Sequence, residues 1–383
     1  MKDEHTRAVA ARDSKSAGLP ALIREEWFLG MGLATALAFL FFGSSLMGLL
    51  SKPLGLMLIF GWLFAAVLGS ALGVVRHADH LAVRLGEPFG TLILTLAVTS
   101  IEVISISAVM LHGANNPTLV RDTLFAVVMI ILNGMVGLSL LLGGWRHREQ
   151  QYNLQGANAY LSVIIPIAVL SLILPNYTVS TEGPTLSWMQ EAFLAVMTIG
   201  LYGVFLTIQT RRHRGYFSLG EAEEEPASVR PGRRNPLAQT MLLLAYLLPV
   251  VFLAKQLGQP IDVLIEDMRA PVALGGVIIA VLVATPEALS AVRAARANRL
   301  QRSVNIFLGS VLATISLTIP CMMVISHLTG RKLVLGLQNA ELVLLPLTLA
   351  VSIVTFGSGK TNILQGAVHL LLFAAYLMLI FQG

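Results

Sequence analysis

Apolar runs long enough to cross a bilayer, for which about 20 residues suffice, recur along almost the whole chain with short polar breaks. They predict membrane helices over 28–51, 53–75, 88–111, 121–144, 157–175, 188–209, 236–256, 271–292, 303–326, 338–357 and 363–382. The first two are separated only by Lys52 and Pro53, a tight helical hairpin. Two longer polar stretches stand apart: a tail, 1–27, and a mid-chain segment, 210–235. The predicted fold class is an all-α polytopic membrane protein with about eleven transmembrane helices.

Composition sharpens that picture. Of 383 residues 55% are hydrophobic and 12% charged, and the mean hydropathy is +0.76. Soluble domains carry about 25% charged residues, so the deficit excludes a soluble enzyme, a disordered chain and a nucleic-acid binder. The net charge of +5 has another source, because cytoplasmic loops of membrane proteins are enriched in Lys and Arg. Assigned alternately to the two sides with the N-terminus inside, the 26 basic residues divide into 20 and 6. That split predicts an N-terminus in the cytoplasm and a C-terminus outside. Met1 to Glu26 lacks the apolar core of a signal peptide. The lone cysteine, Cys321, leaves no intramolecular disulfide and no CxxC metal framework.

The chain repeats itself. GTLILTLAVTSIEVISISAVM (Gly90 to Met110) lies alongside GGVIIAVLVATPEALSAVRAA (Gly275 to Ala295), and Glu102 and Glu287 each fall 12 residues after the first glycine. Ser105 then falls on Ser290, and the hydroxyls of Ser100 and Thr285 coincide. The charge count makes one segment run outward and the other inward, so the copies are inverted, as in secondary transporters with a midplane site. The expected partition is an extra helix, 28–51, a first repeat of five helices, 53–209, a linker, 210–235, and a second repeat, 236–382.

Placing a charge at the centre of a membrane helix costs about 3 kcal/mol on insertion scales. Glu102 and Glu287 are the carboxylates deep within spans, whereas Asp122, Glu191 and Glu341 fall near span ends. One buried Glu can serve as a protonated interhelical hydrogen bond; a symmetric pair at equal depth points to an ion site. Such a pair can carry protons or offer hard oxygens to a divalent cation such as calcium, so the two compete. A carrier that crosses its barrier only when loaded is an obligatory exchanger, and charge balance suggests two protons per divalent ion.

Further ligand candidates are neutral: Ser100, Ser105, Thr285, Ser290, Asn133 in LNGMVGLS, and Ser310. Each hydroxyl can equally bond its own helix. Pro286 removes a helix hydrogen bond beside Glu287 and can free a carbonyl, or merely kink the helix. The histidines, His77, His80, His147 and His213 among them, read as interfacial; His369, inside the last span, is the exception. The acidic run Glu221, Glu223, Glu224 and Glu225 reads as a solvated linker or as a cation-collecting, regulatory patch. No phosphate-binding glycine loop is present to drive transport by ATP, and no Ser–His or paired-Asp set lies in the spans for an intramembrane hydrolase. A passive cation channel and a sodium/calcium exchanger without proton coupling are the remaining alternatives.

GEPFGTLILTLAVTSIEVISI (Gly86 to Ile106) and LVATPEALSAVRAARANRLQRSVNIFLGSVLATISLTIP (Leu282 to Pro320) resemble the two alpha-repeats of the calcium/cation antiporter superfamily. Within it the chain is most similar to the bacterial ChaA-type calcium (sodium, potassium)/proton antiporters of the CAX branch, with support from Arg121 to Gly144 and Leu201 to Phe217. The resemblance implies ten core helices plus an extra first one, an acidic stretch between the halves, cation ligation by Glu102 and Glu287, and polar partners at Asn133 and Ser310. It implies no tightly bound cofactor, only transported Ca2+, Na+ or K+ and H+. Its partners are those ions and the bilayer, and a homo-oligomer is compatible with it. Where many members carry a Gly-Asn pair before the Glu, this chain has Val98 and Thr99, and Val283 and Ala284; Ala288 replaces a frequent histidine. Fewer amide oxygens leave a lower-coordination site able to handle sodium or potassium.

Overall fold

A computed structural model describes residues 25–86, 89–111, 116–219 and 235–382. The acidic run Glu221 to Glu225 lies outside the described residues. Among the described residues, eleven helices are long and apolar enough to cross a membrane: α1 (Trp27–Ser51), α2 (Pro53–Leu85), α3 (Phe89–Met110), α4 (Leu119–His147), α5 (Leu154–Asn176), α6 (Trp188–Arg212), α7 (Pro236–Glu266), α8 (Ala273–Arg296), α9 (Leu300–Thr329), α10 (Asn339–Phe356) and α11 (Ile363–Gln382). A two-residue antiparallel ladder pairs Gln150 with Thr361 and Gln151 with Lys360.

Local signals set the ends. Ser187 accepts from the Gln190 amide at 3.4 Å while the Gln190 side chain accepts from Ser187 N at 2.8 Å, a reciprocal cap that satisfies orphan donors at the α6 start. Asn153 and Asn235 cap α5 and α7 through the amides of Gln155 and Leu237. Pro53 opens α2 directly after Lys52, where the missing N–H costs nothing.

Two helices outrun their apolar segments. The hydropathy pattern stops near residue 75 in α2 and near Lys255 in α7, yet they continue to Leu85 and Glu266. The added turns are amphipathic: Val74, His77, Ala78 and Leu81 are buried on one face of α2, and Leu257, Gly258, Pro260 and Ile261 are buried in α7. Helix–protein contact sustains them where apolar length alone would not. The expectation that His77 is interfacial is corrected here: its ring is buried, with Nδ1 2.5 Å from Gln239 Oε1 and Nε2 3.3 Å from Glu26 Oε2.

Burial ranks the helices from lipid to core. On α1 only Gly32, Thr35, Phe39 and Leu50 are buried, while Leu37, Leu40, Phe41 and Phe42 are exposed, as expected of a helix facing acyl chains. Every residue of α4 from Leu119 to Asn133 is buried, so α4 is central. It packs tightly on α11 through small residues: a Cβ on Gly137 would meet Leu370 N at 2.9 Å and Gly366 O at 3.0 Å. Missing side chains here let two backbones approach, the usual basis of helix association in lipid. Both α4 and α9 widen into a π-turn at mid-length, Ile130–Met135 and Thr314–Thr318, a local irregularity that often marks functional positions.

Candidate functional site

The two repeat glutamates reach the same helix. Glu102, on α3, is fully buried, and its Oε2 accepts from Thr314 Oγ1 at 2.9 Å and from Thr318 Oγ1 at 3.0 Å. Glu287, on α8, accepts through Oε2 from the Ser310 hydroxyl. Ser310, Thr314 and Thr318 recur every fourth residue, so they form one stripe along α9. The Oε1 of Glu102 is buried with no hydrogen-bond partner among the described residues.

A cavity of about 310 Å³ leads to this stripe. Glu287, Ser310, Thr314 and Asp79 line it, whereas Glu102 does not. Its lining includes the N-terminal ends of α3 and α9 (Thr91, Arg302) and the C-terminal end of α6 (Gln209). Tyr202 donates to Thr95 at 3.2 Å and Gln209 to the Tyr160 hydroxyl at 2.9 Å along its wall. The carboxylates therefore differ in access: Glu287 lines the cavity, whereas Glu102 is fully buried and does not. Among the described residues no group of three or more His, Cys, Asp or Glu could hold a metal ion. Two carboxylates with neutral hydroxyls form a weaker, hard-oxygen set suited to an ion that must also leave.

The other sequence-derived candidates distribute unevenly. Ser310 joins the site. Ser290 lines the cavity and is exposed. Thr285 bonds the carbonyl of Val281 at 2.5 Å on its own helix. Ser105 is buried with its hydroxyl unpartnered among the described residues, and Ser100 is half-buried. Asn133 stands in a different cluster, donating to Thr348 at 2.9 Å and lying 3.1 Å from Nδ1 of His369, whose Nε2 is 2.9 Å from Thr355. Pro286 lines the cavity within an uninterrupted α8.

Sequence reasoning missed Thr314, Thr318 and Asp79. The threonines carry a legible signal, the four-residue spacing from Ser310 on an otherwise apolar span. Asp79 falls beyond the apolar part of α2 and reads as a loop residue until the helix is seen to continue.

Among the described residues, eleven apolar helices surround two carboxylates, one fully buried and one lining a cavity, and define a multi-pass membrane protein of transporter type. Residues 55–211 and 238–382 match the sodium/calcium exchanger protein family, and the chain belongs to that family. It is 46% identical over 312 residues to y4hA of Sinorhizobium fredii, named as an ionic transporter, covering 81% of this chain and 85% of that one. It is 42% identical over 319 residues to the sodium-potassium/proton antiporter ChaA of Escherichia coli, covering 82% and 86%. Among solved structures the fold resembles native YfkE, with a TM-score of 0.71 at 20% identity over 93% of this chain and all of that one. It also resembles the H+/Ca2+ exchanger CAX, at 0.65 and 14% identity, over 93% and 88%.

Proposed function

We propose that the protein is a secondary-active cation/proton antiporter of the bacterial inner membrane, exporting Ca2+, and Na+ or K+ as well, in exchange for H+ by alternating access. Glu102 and Glu287 are the groups on which proton and cation replace one another. The observation that carries this reading is their shared attachment to one hydroxyl stripe on α9, with one carboxylate lining a cavity and the other fully buried. Two protonated carboxylates and two carboxylates holding one Ca2+ carry the same net charge, as do one protonated carboxylate and one holding Na+ or K+, so the loaded carrier crosses its barrier without an added charge.

The cation range is supported from two directions. The Escherichia coli relative is named for sodium, potassium and protons, while relatives at 22–24% identity from Aphanothece halophytica, Bacillus subtilis and Synechocystis are named Ca2+/H+ antiporters. The family match falls in two blocks on either side of the polar linker, which supports the division into repeats 53–209 and 236–382. The basic residues concentrate on the side whose helix ends line the cavity, so with the N-terminus in the cytoplasm this conformation faces inward.

Proton release tests the chemistry without transport. Calcium added to purified, weakly buffered protein in detergent should release about two protons per ion, from charge balance on two carboxylates. The double variant Glu102→Gln/Glu287→Gln should release none. Equal release from the double variant would overturn the assignment.

A further inference from the structure

A second recess, of about 860 Å³, lies among the N-terminal ends of α4, α8 and α10 and the C-terminal end of α11. Successive membrane helices alternate in direction, so these ends belong to the face opposite the helix ends that line the first cavity. The two hollows are counterparts under the inverted repeat. Tyr202 lies 14 residues into α6 and lines the first; Tyr376 lies 13 residues into α11 and lines the second. Both carry carboxylates, Asp79 in the first and Asp122 and Glu341 in the second. The first reaches Glu287 and Thr314, but the second reaches neither glutamate nor the α9 stripe.

One pair of equivalent positions accounts for the difference. Ser310 precedes the α9 π-turn by four residues, and Phe125 precedes the α4 π-turn by five. The separation between them, 185 residues, equals that between Glu102 and Glu287. Where α9 has Gly309 and Ser310, both lining the open cavity, α4 has Leu124 and Phe125. The Phe125 ring is buried and packs edge-on against Tyr376, with centroids 5.5 Å apart at 87°, a favourable aromatic arrangement. A buried aromatic pair in the wall of the recess is a barrier to hydrated ions.

We propose that Phe125, backed by Tyr376, is the closure that keeps the second vestibule from the carboxylates in this conformation. The proposal rests on the inverted-repeat antiporter reading above. Phe125 acts through access and touches no ion; it must turn aside when the carrier opens to the other face. Residue size at this one position then makes the pathway asymmetric, with small residues on the open side and a ring on the closed one.

The test uses full-length protein in proteoliposomes holding a preset ΔpH, followed with an internal pH dye in the absence of transported cation. Phe125→Ser, which makes α4 resemble α9 here, should dissipate the gradient severalfold faster than wild type, whereas Phe125→Leu should hold it. Tyr376→Ala should leak in the same way and decides the matter where Phe125→Ser does not fold. Tight gradients and wild-type exchange in Phe125→Ser and Tyr376→Ala, with exchange lost in Glu102→Gln, would overturn the closure and leave the carboxylates in place. A leak in the ring variants of a protein whose exchange survives Glu102→Gln would keep the closure and overturn the carboxylate reading.

Discussion

Glu102 and Thr314 come from opposite halves of the chain, 212 residues apart, and meet in a buried hydrogen bond of 2.9 Å. Four residues earlier on the same helix, Ser310 donates to Glu287. The two carboxylates are thus coupled through one rigid element, and any displacement of α9 is felt at both. On the proposed reading, occupancy at one carboxylate is thereby tied to the geometry at the other, which exchange without leak requires.

The hydroxyls on Glu102 are separable by substitution. A hydrogen bond to a charged group contributes about 1.5–3 kcal/mol, and Oε2 of Glu102 keeps one of its two donors when the other is removed. Thr314→Val and Thr318→Val are therefore each expected to lower exchange roughly tenfold or more, and Thr314→Ser to retain most of it. Initial rates of cation-driven proton movement in proteoliposomes measure both.

Asp79 lines the open cavity together with Glu287. An acidic group in a low-dielectric cleft raises the local cation concentration by about tenfold or more at low salt. Asp79→Asn should raise the cation KM by a comparable factor while leaving the maximal rate nearly unchanged, and the difference should shrink as ionic strength rises. A changed maximal rate with unchanged KM would place Asp79 in the carrier cycle itself.

Packing of α4 on α11 depends on Gly137 and Gly366, where an added Cβ would meet backbone atoms at 2.6 to 3.0 Å. Overpacking of this kind costs about 1–3 kcal/mol. Gly366→Leu should lower the thermal midpoint of the detergent-solubilised protein by several degrees, whereas a substitution at Gly61, where a Cβ would meet nothing within 4 Å, should not.

Helix number and the carboxylate pair were legible because each rests on a strong local contrast: long apolar runs against short polar breaks, and two Glu residues where lipid-buried charge is costly. The ends of α2 and α7 were not, since their last turns are held by burial of His77, Leu81, Leu257 and Ile261 rather than by apolar length. Asn133 shows a different limit. Its polarity inside a span is plain, but whether it serves an ion or a neighbour depends on contacts to Thr348 and His369, 215 and 236 residues away. Ser310 was recognisable as a candidate, while Thr314 and Thr318 stand out only once Ser310 is seen to face a carboxylate and their four-residue spacing continues its stripe.

The most direct measurement is dissipation of a preformed ΔpH in proteoliposomes on addition of calcium, sodium, potassium or magnesium in turn. Wild-type protein should respond to calcium and to sodium or potassium, and the response should vanish in Glu102→Gln and in Glu287→Gln while both variants insert and remain monodisperse. A near-normal response in either variant, or silence with every cation in folded wild-type protein, would contradict the account.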